Sequence, residues 1–280
     1  MSGALPHATA VALGGGGARG LAHLGVLDEL ERGGVHVAAV AGTSSGALVG
    51  ALWLLEGTDA AVARVRAFAD SRLGRRVADP LAGGPGRRLD LLRRARRLAA
   101  LFRLVVTRHQ VAQRTFLERV AFFLPDVAIA DLPRPFVAVA ADSLTGREVR
   151  LGGGRLREAV AASSAMPGLV VPFAIGGRYL QDGGAVAEIP VGAARALAIP
   201  VLAVETSEAL PEGQPGRDRA PRAMFRAAAM GWQELRRRIL VEADAVIAPA
   251  VNHLHWADYH LVDEAVAAGR AAAREYLANA

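Results

Sequence analysis

The stretch Val40-Ala41-Gly42-Thr43-Ser44-Ser45-Gly46-Ala47-Leu48-Val49-Gly50 constrains this chain more than any other. Residues 36–41 form an apolar run with the length of a buried strand, and the run breaks at Gly42. A helix-like apolar stretch, residues 47–55, follows at once. Ser44 is thereby expected on a sharp strand-to-helix turn in the pattern G-x-S-x-G. A serine hydroxyl is a weak nucleophile and must be held out from the backbone, close to a base. The tight turn does this, and Gly42 and Gly46 keep Cβ atoms out of a crowded corner. The N-terminus of the following helix adds partial positive charge where an oxyanion would develop.

A second strand-turn-helix unit precedes it. Residues 8–13 read as a strand that ends in Gly14-Gly15-Gly16-Gly17-Ala18-Arg19-Gly20. Residues 21–32 then place Leu21, Leu24, Leu27 and Leu30 along one side of a helix, which Gly33-Gly34 stops. Gly15, Gly17 and Gly20 also satisfy G-x-G-x-x-G, but a dinucleotide site needs an acid near the end of the second strand. That strand runs straight into the serine turn and offers none. No G-K-[ST] follows, so the loop is no P-loop either. What remains is a tight structural turn or a set of backbone N–H donors for an oxyanion.

The rest of the chain bounds the answer. Its 280 residues are 52% hydrophobic, enough for a large α/β core. No membrane span and no signal-peptide pattern are read from it. There is no cysteine, hence no disulfide and no thiolate metal site. These features suit a cytoplasmic chain. The net charge is +6, and all 33 basic residues are arginine. Residues 75–119 carry Arg87, Arg88, Arg93, Arg94, Arg96, Arg97, Arg103 and Arg108 among leucines. They read as a basic, partly amphipathic helical insertion: a cap, a surface for anionic lipid, or an ordinary solvated helix. Nucleic acid is disfavoured, because stacking aromatics are not interleaved.

Further strands are expected at residues 136–141, 147–151, 170–175, 178–180, 199–205 and 245–249. Helices are expected at 59–72, 155–163, 223–241 and 258–280, and 210–222 as a polar loop. Asp182-Gly183-Gly184 stands at a strand end, where an acid is well placed to point into a site; it is equally an ordinary Asp-Gly turn. His253 and His255 lie two apart with no third ligand nearby except Asp258, a cluster that more often belongs to a solvated loop, and neither metal nor cofactor is expected. No repeat or linker divides residues 1–280, which read as one domain with an insertion.

Taken together, the Gly15–Gly20 loop, the Ser44 elbow, Asp182-Gly183-Gly184 and the stretch Ala162-Ser163-Ser164-Ala165-Met166-Pro167-Gly168 resemble the patatin-like phospholipases of bacterial type. The motifs come in that family's order and spacing, over about residues 11–200. The resemblance implies a modified α/β-hydrolase fold, with a central, mostly parallel sheet flanked by helices. It implies a Ser44–Asp182 dyad, an acyl-enzyme, and an oxyanion hole from Gly15, Gly16, Gly17 and Arg19. Gly20, Gly42, Gly46, Gly183 and Gly184 would support these motifs. The substrate implied is a phospholipid or lysophospholipid ester, with peripheral contact at an anionic membrane. A homodimer is compatible with the sequence and has no support in it. The chain departs from the family's usual pattern at Ser45, often Ala, and at Glu188, often Asn; the latter adds negative charge near Asp182. Two rivals stand beside this reading. One is a Ser-His-Asp esterase using His253, His255 or His260, and the other is a non-catalytic lipid-binding regulator of the same fold.

Overall fold

The computed structural model describes residues 8–78, 111–198, 200–207, 209–210 and 220–279. Eight strands, β1 (Ala8–Leu13), β2 (His36–Thr43), β3 (Phe136–Asp142), β4 (Glu148–Leu151), β5 (Phe173–Ile175), β6 (Arg178–Asp182), β7 (Val201–Val204) and β8 (Ala245–Ile247), join one sheet among the described residues. Its order is β5-β6-β3-β2-β1-β7-β8, with β4 also paired to β3. The run from β3 through β2, β1 and β7 to β8 is parallel; β4, β6 and β5 add antiparallel pairs. The helices are α1 (Ala22–Arg32), α2 (Ser45–Asp70), α3 (Arg72–Ala78), α4 (Gln113–Phe123), α5 (Leu156–Ser163), α6 (Val191–Arg195), α7 (Ala220–Val241) and α8 (Val262–Asn279). This is the expected mostly parallel sheet flanked by helices.

Parallel strands covered on both faces read as continuous apolar runs, and the two faces differ here in side-chain size. Along β1, Val11 and Leu13 join the larger core, with α1, α2, α5 and α8, while Ala10 and Ala12 point to the other face. There Ala39, Ala41 and Ala203 continue the layer of small residues beneath α6 and α7. Small side chains let the short α6 lie close to the sheet.

Several boundaries differ from expectation for physical reasons. β2 does not stop at Gly42; ladder pairing of Gly42 with Ala138 and Thr43 with Val139 carries it to Thr43. The helices expected at 47–55 and 59–72 form the single run α2, interrupted at Gly57, whose φ of 73° is not helical. Only Phe173–Ile175 of the strand expected at 170–175 forms, because Val170 bridges Val111 instead. α6, with five residues, is too short to show a period in sequence. By length and composition, α2 is the helix among the described residues that is apolar enough to cross a membrane, and 61% of its apolar window is buried in the fold. The arginines from Arg87 to Arg108, and with them most of the basic insertion, lie outside the described residues.

The chain runs β1, β2, β3 to one side and returns to β7 and β8 on the other. The reversal between β1 and β7 is a topological switch point, where the carboxyl ends of the strands leave a crevice. The glycine loop follows β1, Ser44 follows β2, and Thr206-Ser207 follows β7, so all three meet at that crevice.

Candidate active site

Ser44 stands between the last residue of β2 and the first of α2, at φ 55° and ψ −121°. It is the one non-glycine residue at positive φ among those described. Such a conformation costs on the order of 1–3 kcal/mol, so its surroundings must hold it. Three tertiary bonds do so. Ser44 N–H donates to Ser163 Oγ at 2.9 Å, and the Ser163 hydroxyl donates to the Val139 carbonyl at 2.6 Å. The Thr43 hydroxyl donates to the Ala187 carbonyl at 2.8 Å. The flanking glycines answer to crowding: a Cβ on Gly46 would lie 2.2 Å from the Leu13 oxygen, and one on Gly42 2.5 Å from Ala47 Cα.

Asp182 ends β6, which pairs antiparallel with β3 so that Asp182 lies opposite Ala140. Its Oδ2 accepts the Ser44 hydroxyl at 2.7 Å, and its Oδ1 accepts Gly184 N–H at 2.8 Å. Gly183 must be glycine, because a Cβ there would meet the Val139 oxygen at 2.3 Å. Asp182 is 9% exposed. Burial pushes its carboxyl up to about 6, against the hydrogen bonds from Ser44 and Gly184 that favour the ionised form; the nearby Glu188 adds to the rise. The result is a carboxylate ionised at neutral pH, yet far more basic than a solvated one.

The glycine loop passes beside this pair. A Cβ on Gly15 would stand 3.5 Å from Ser44 Cβ. Gly16 has φ 153° and Gly17 φ 62°, and a Cβ on either would meet a backbone oxygen at 2.5 Å, that of Thr206 or Trp256. Gly17 opens a short 3-10 helix, Gly17–Leu21, that leads into α1. Gly20 lies against Ser45, whose Oγ would be 2.4 Å from a Cβ there. Two of the four expected oxyanion groups are engaged elsewhere. Gly15 N–H donates to the Glu188 carbonyl at 3.0 Å. Arg19, 6% exposed, turns its guanidinium inward, with Nε donating to the Thr206 carbonyl and Nη1 to the Leu254 carbonyl, each at 3.3 Å. Its side chain braces the loop against the ends of β7 and the 250s segment. The N–H groups of Gly16 and Gly17 make no hydrogen bond to another described residue.

A family model described as patatin-like phospholipase matches residues 11–195. The chain belongs to the patatin-like phospholipase family. It is 34% identical to an uncharacterized NTE family protein of Mycobacterium tuberculosis, over 65% of this chain and 44% of that one. A second M. tuberculosis NTE family protein is 30% identical, over 95% of this chain and 46% of its own length. Mouse patatin-like phospholipase domain-containing protein 6 is 31% identical, over 86% of this chain and 16% of the relative. The chain thus spans less than half the length of each of these relatives.

In this patatin-like chain no histidine bonds to Ser44 or Asp182 among the described residues. His253 is exposed and pairs with Glu264 at 2.7 Å; His255 Nδ1 faces the Ala257 N–H at 3.4 Å; His260 is exposed. With the serine hydroxyl directly on the carboxylate, there is no place between them for an imidazole.

Four residues near the site escaped the sequence reading of roles. Ser163 lay in a stretch already singled out, but nothing local says that its hydroxyl reaches the Ser44 amide. His23 and Thr206 sit behind the glycine loop. Arg236 of α7, 9% exposed, lies between two carboxylates: its Nη1 is 3.3 Å from Glu188 and its Nε 2.9 Å from Glu205. Burial pushes Glu188 up and Arg236 opposes the rise, so the charge at this departure from the family pattern has a cationic partner.

Proposed function

We propose that the chain is a serine lipid acyl hydrolase acting on phospholipid or lysophospholipid acyl esters through a Ser44–Asp182 dyad. The observation that carries the reading is the 2.7 Å hydrogen bond from Ser44 Oγ to Asp182 Oδ2, on a strained elbow beside two open glycine N–H groups. Family membership supports the acyl-ester substrate class.

In this reading Ser44 Oγ attacks the ester carbonyl carbon while its proton passes to Asp182 Oδ2. The carbonyl oxygen becomes anionic and is held by Gly16 and Gly17 N–H, at the N-terminal end of the 3-10 helix and near that of α2. Collapse breaks the ester C–O bond, and the proton on Asp182 goes to the leaving alcohol. Water then enters, gives its proton to Asp182 and attacks the acyl-enzyme. The second collapse releases the fatty acid and returns the proton to Ser44. A carboxyl near 6 suits both directions of transfer, since a base is most effective when its pKa lies near the working pH.

The test is hydrolysis of a short-chain nitrophenyl ester and of mixed phospholipid vesicles by wild type, Ser44→Ala, Asp182→Asn and His255→Ala. The first two variants are expected to lose at least roughly 10³-fold in kcat, as removal of a nucleophile or its base does, with folding retained. His255→Ala is expected to keep wild-type rates. Loss in all three would favour a histidine-dependent esterase, and an inactive wild type that still binds vesicles would favour a non-catalytic lipid-binding role.

A further inference from the structure

The carbonyl side of the glycine loop is held from behind. A trans peptide holds its C=O and N–H antiparallel, so fixing the carbonyl of Gly15 fixes the direction of Gly16 N–H. Thr206 Oγ1 lies 3.0 Å from the Gly15 carbonyl. His23 Nε2 lies 2.8 Å from the Gly14 carbonyl and 3.3 Å from Thr206 Oγ1. Carbonyl oxygens only accept, which places every proton in this cluster. The Thr206 hydroxyl proton points at Gly15, His23 carries its proton on Nε2, and His23 Nδ1 is bare. Thr206 is 1% exposed and His23 fully buried. Nδ1 has no partner among the described residues. Burial holds this imidazole down to about 4, so the arrangement of protons persists through neutral pH.

The two successive peptides are treated differently. The Gly14–Gly15 peptide is tied at both ends, its carbonyl to His23 and its N–H to the Glu188 carbonyl. The Gly15–Gly16 peptide is tied at its carbonyl alone, by Thr206. Both its flanking residues are glycine, so little in the local backbone resists rotation. Rotation would turn a carbonyl oxygen toward the site in place of an N–H, reversing the dipole that a developing anion meets.

We propose that Thr206 is a positioning residue: its hydroxyl holds the Gly15 carbonyl and so aims Gly16 N–H at the space beside Ser44 Oγ where the ester oxygen becomes anionic. His23 braces the same cluster from the Gly14 side. Thr206 itself is seated by Arg19, which donates to its carbonyl at 3.3 Å. The proposal rests on the acyl-hydrolase reading.

The experiment compares wild type with Thr206→Val, Thr206→Ala and Thr206→Ser. It measures kcat and KM on a nitrophenyl ester and the inhibition constant of an alkyl trifluoromethyl ketone. Ser44 adds to that ketone carbonyl, its proton passes to Asp182, and the product is a hemiketal oxyanion, so the inhibitor reads the anion site directly. Misaiming a donor should cost less than the roughly 10²–10³ in kcat lost when one is removed, so a fall of about 10–100-fold is expected in Thr206→Val and Thr206→Ala. KM should change by less than about twofold, and ketone affinity should fall in step with kcat. Thr206→Ser keeps the hydroxyl and is expected within about threefold of wild type. Wild-type kcat and ketone affinity in Thr206→Val would overturn the proposal, as would equal damage in Thr206→Ser. Failure of both Thr206→Val and Thr206→Ala to fold would make the residue structural and count against it as well. A wild type that neither hydrolyses the ester nor binds the ketone would instead remove the acyl-hydrolase reading, and this proposal with it.

Discussion

Asp182 lies behind the serine elbow and His23 behind the glycine loop, and burial acts on both in favour of the neutral form. It pushes Asp182 up to about 6 and His23 down to about 4. What differs is the company each keeps. Asp182 Oδ2 receives a hydroxyl whose proton must leave for Ser44 to act as a nucleophile. The protonatable Nδ1 of His23 has no hydrogen-bond partner among the described residues, while its Nε2–H holds a backbone carbonyl. The same desolvation therefore brings one group toward neutral pH, where the proposed mechanism needs a group that exchanges protons, and carries the other away from it. On the proposed mechanism, one side of the site changes charge and the other keeps its protons fixed.

The largest effect expected from this contrast is on stability against pH. The native state binds a proton at Asp182 between about 6 and the usual carboxylate value, where the unfolded chain does not. That group therefore lowers stability above pH 6 and ceases to as pH falls. His23 is the reverse: the unfolded chain takes a proton below about 6.5 and the native state resists until about 4, so stability is lost on acidification through that window. Each contribution amounts to about 2 kcal/mol between pH 7.5 and 4.5, and in the wild type they oppose each other. Denaturant unfolding should show Asp182→Asn losing about 2 kcal/mol more than wild type over that interval, and His23→Gln about 2 kcal/mol less. Parallel pH profiles for all three would break the contrast.

Ser163 is to the elbow what Thr206 is to the loop, since each binds a backbone group beside the proposed nucleophile. Ser163→Ala leaves the Ser44 amide without its acceptor at a strained position. The expected cost is about 1–2 kcal/mol of stability, with a fall in kcat of roughly tenfold as Ser44 Oγ drifts from Asp182. Restoration by Ser163→Thr would show that the hydroxyl is what matters. A Ser163→Ala enzyme with wild-type kcat and stability would mean that the elbow is held by Thr43 and the helix start alone.

These two supports also mark where the sequence stops being readable. Ser44 and its flanking glycines announce themselves because strand, turn and helix lie within one short stretch, and crowding at Gly42 and Gly46 leaves a direct trace in residue type. The alternation of Ala10, Val11, Ala12 and Leu13 likewise carries both core faces on its surface. Ser163 and Thr206 act on residues 119 and 191 positions away, and neither leaves a local trace. That Gly15 N–H and Arg19, expected at an oxyanion site, are engaged with other acceptors was illegible for the same reason. Whether an N–H or a guanidinium is open depends on acceptors that the fold brings from Glu188, Thr206 and Leu254.

The smallest expected effect concerns Glu188, whose charge raises Asp182 and is itself met by Arg236. The carboxylates facing this arginine are Glu188 and Glu205, on the segments after β6 and β7. Glu188→Gln should move the acidic limb of kcat/KM, expected near pH 6, downward by less than about one pH unit. Arg236→Gln leaves Glu188 without its cationic partner and should move the limb upward by a similar amount. The two changes are coupled through one carboxylate, so the double variant should titrate like Glu188→Gln rather than midway between the singles. An unchanged limb in Glu188→Gln would mean that burial and the Ser44 and Gly184 hydrogen bonds alone set the base. The chain would then tolerate a carboxylate at this position because Arg236 screens it completely.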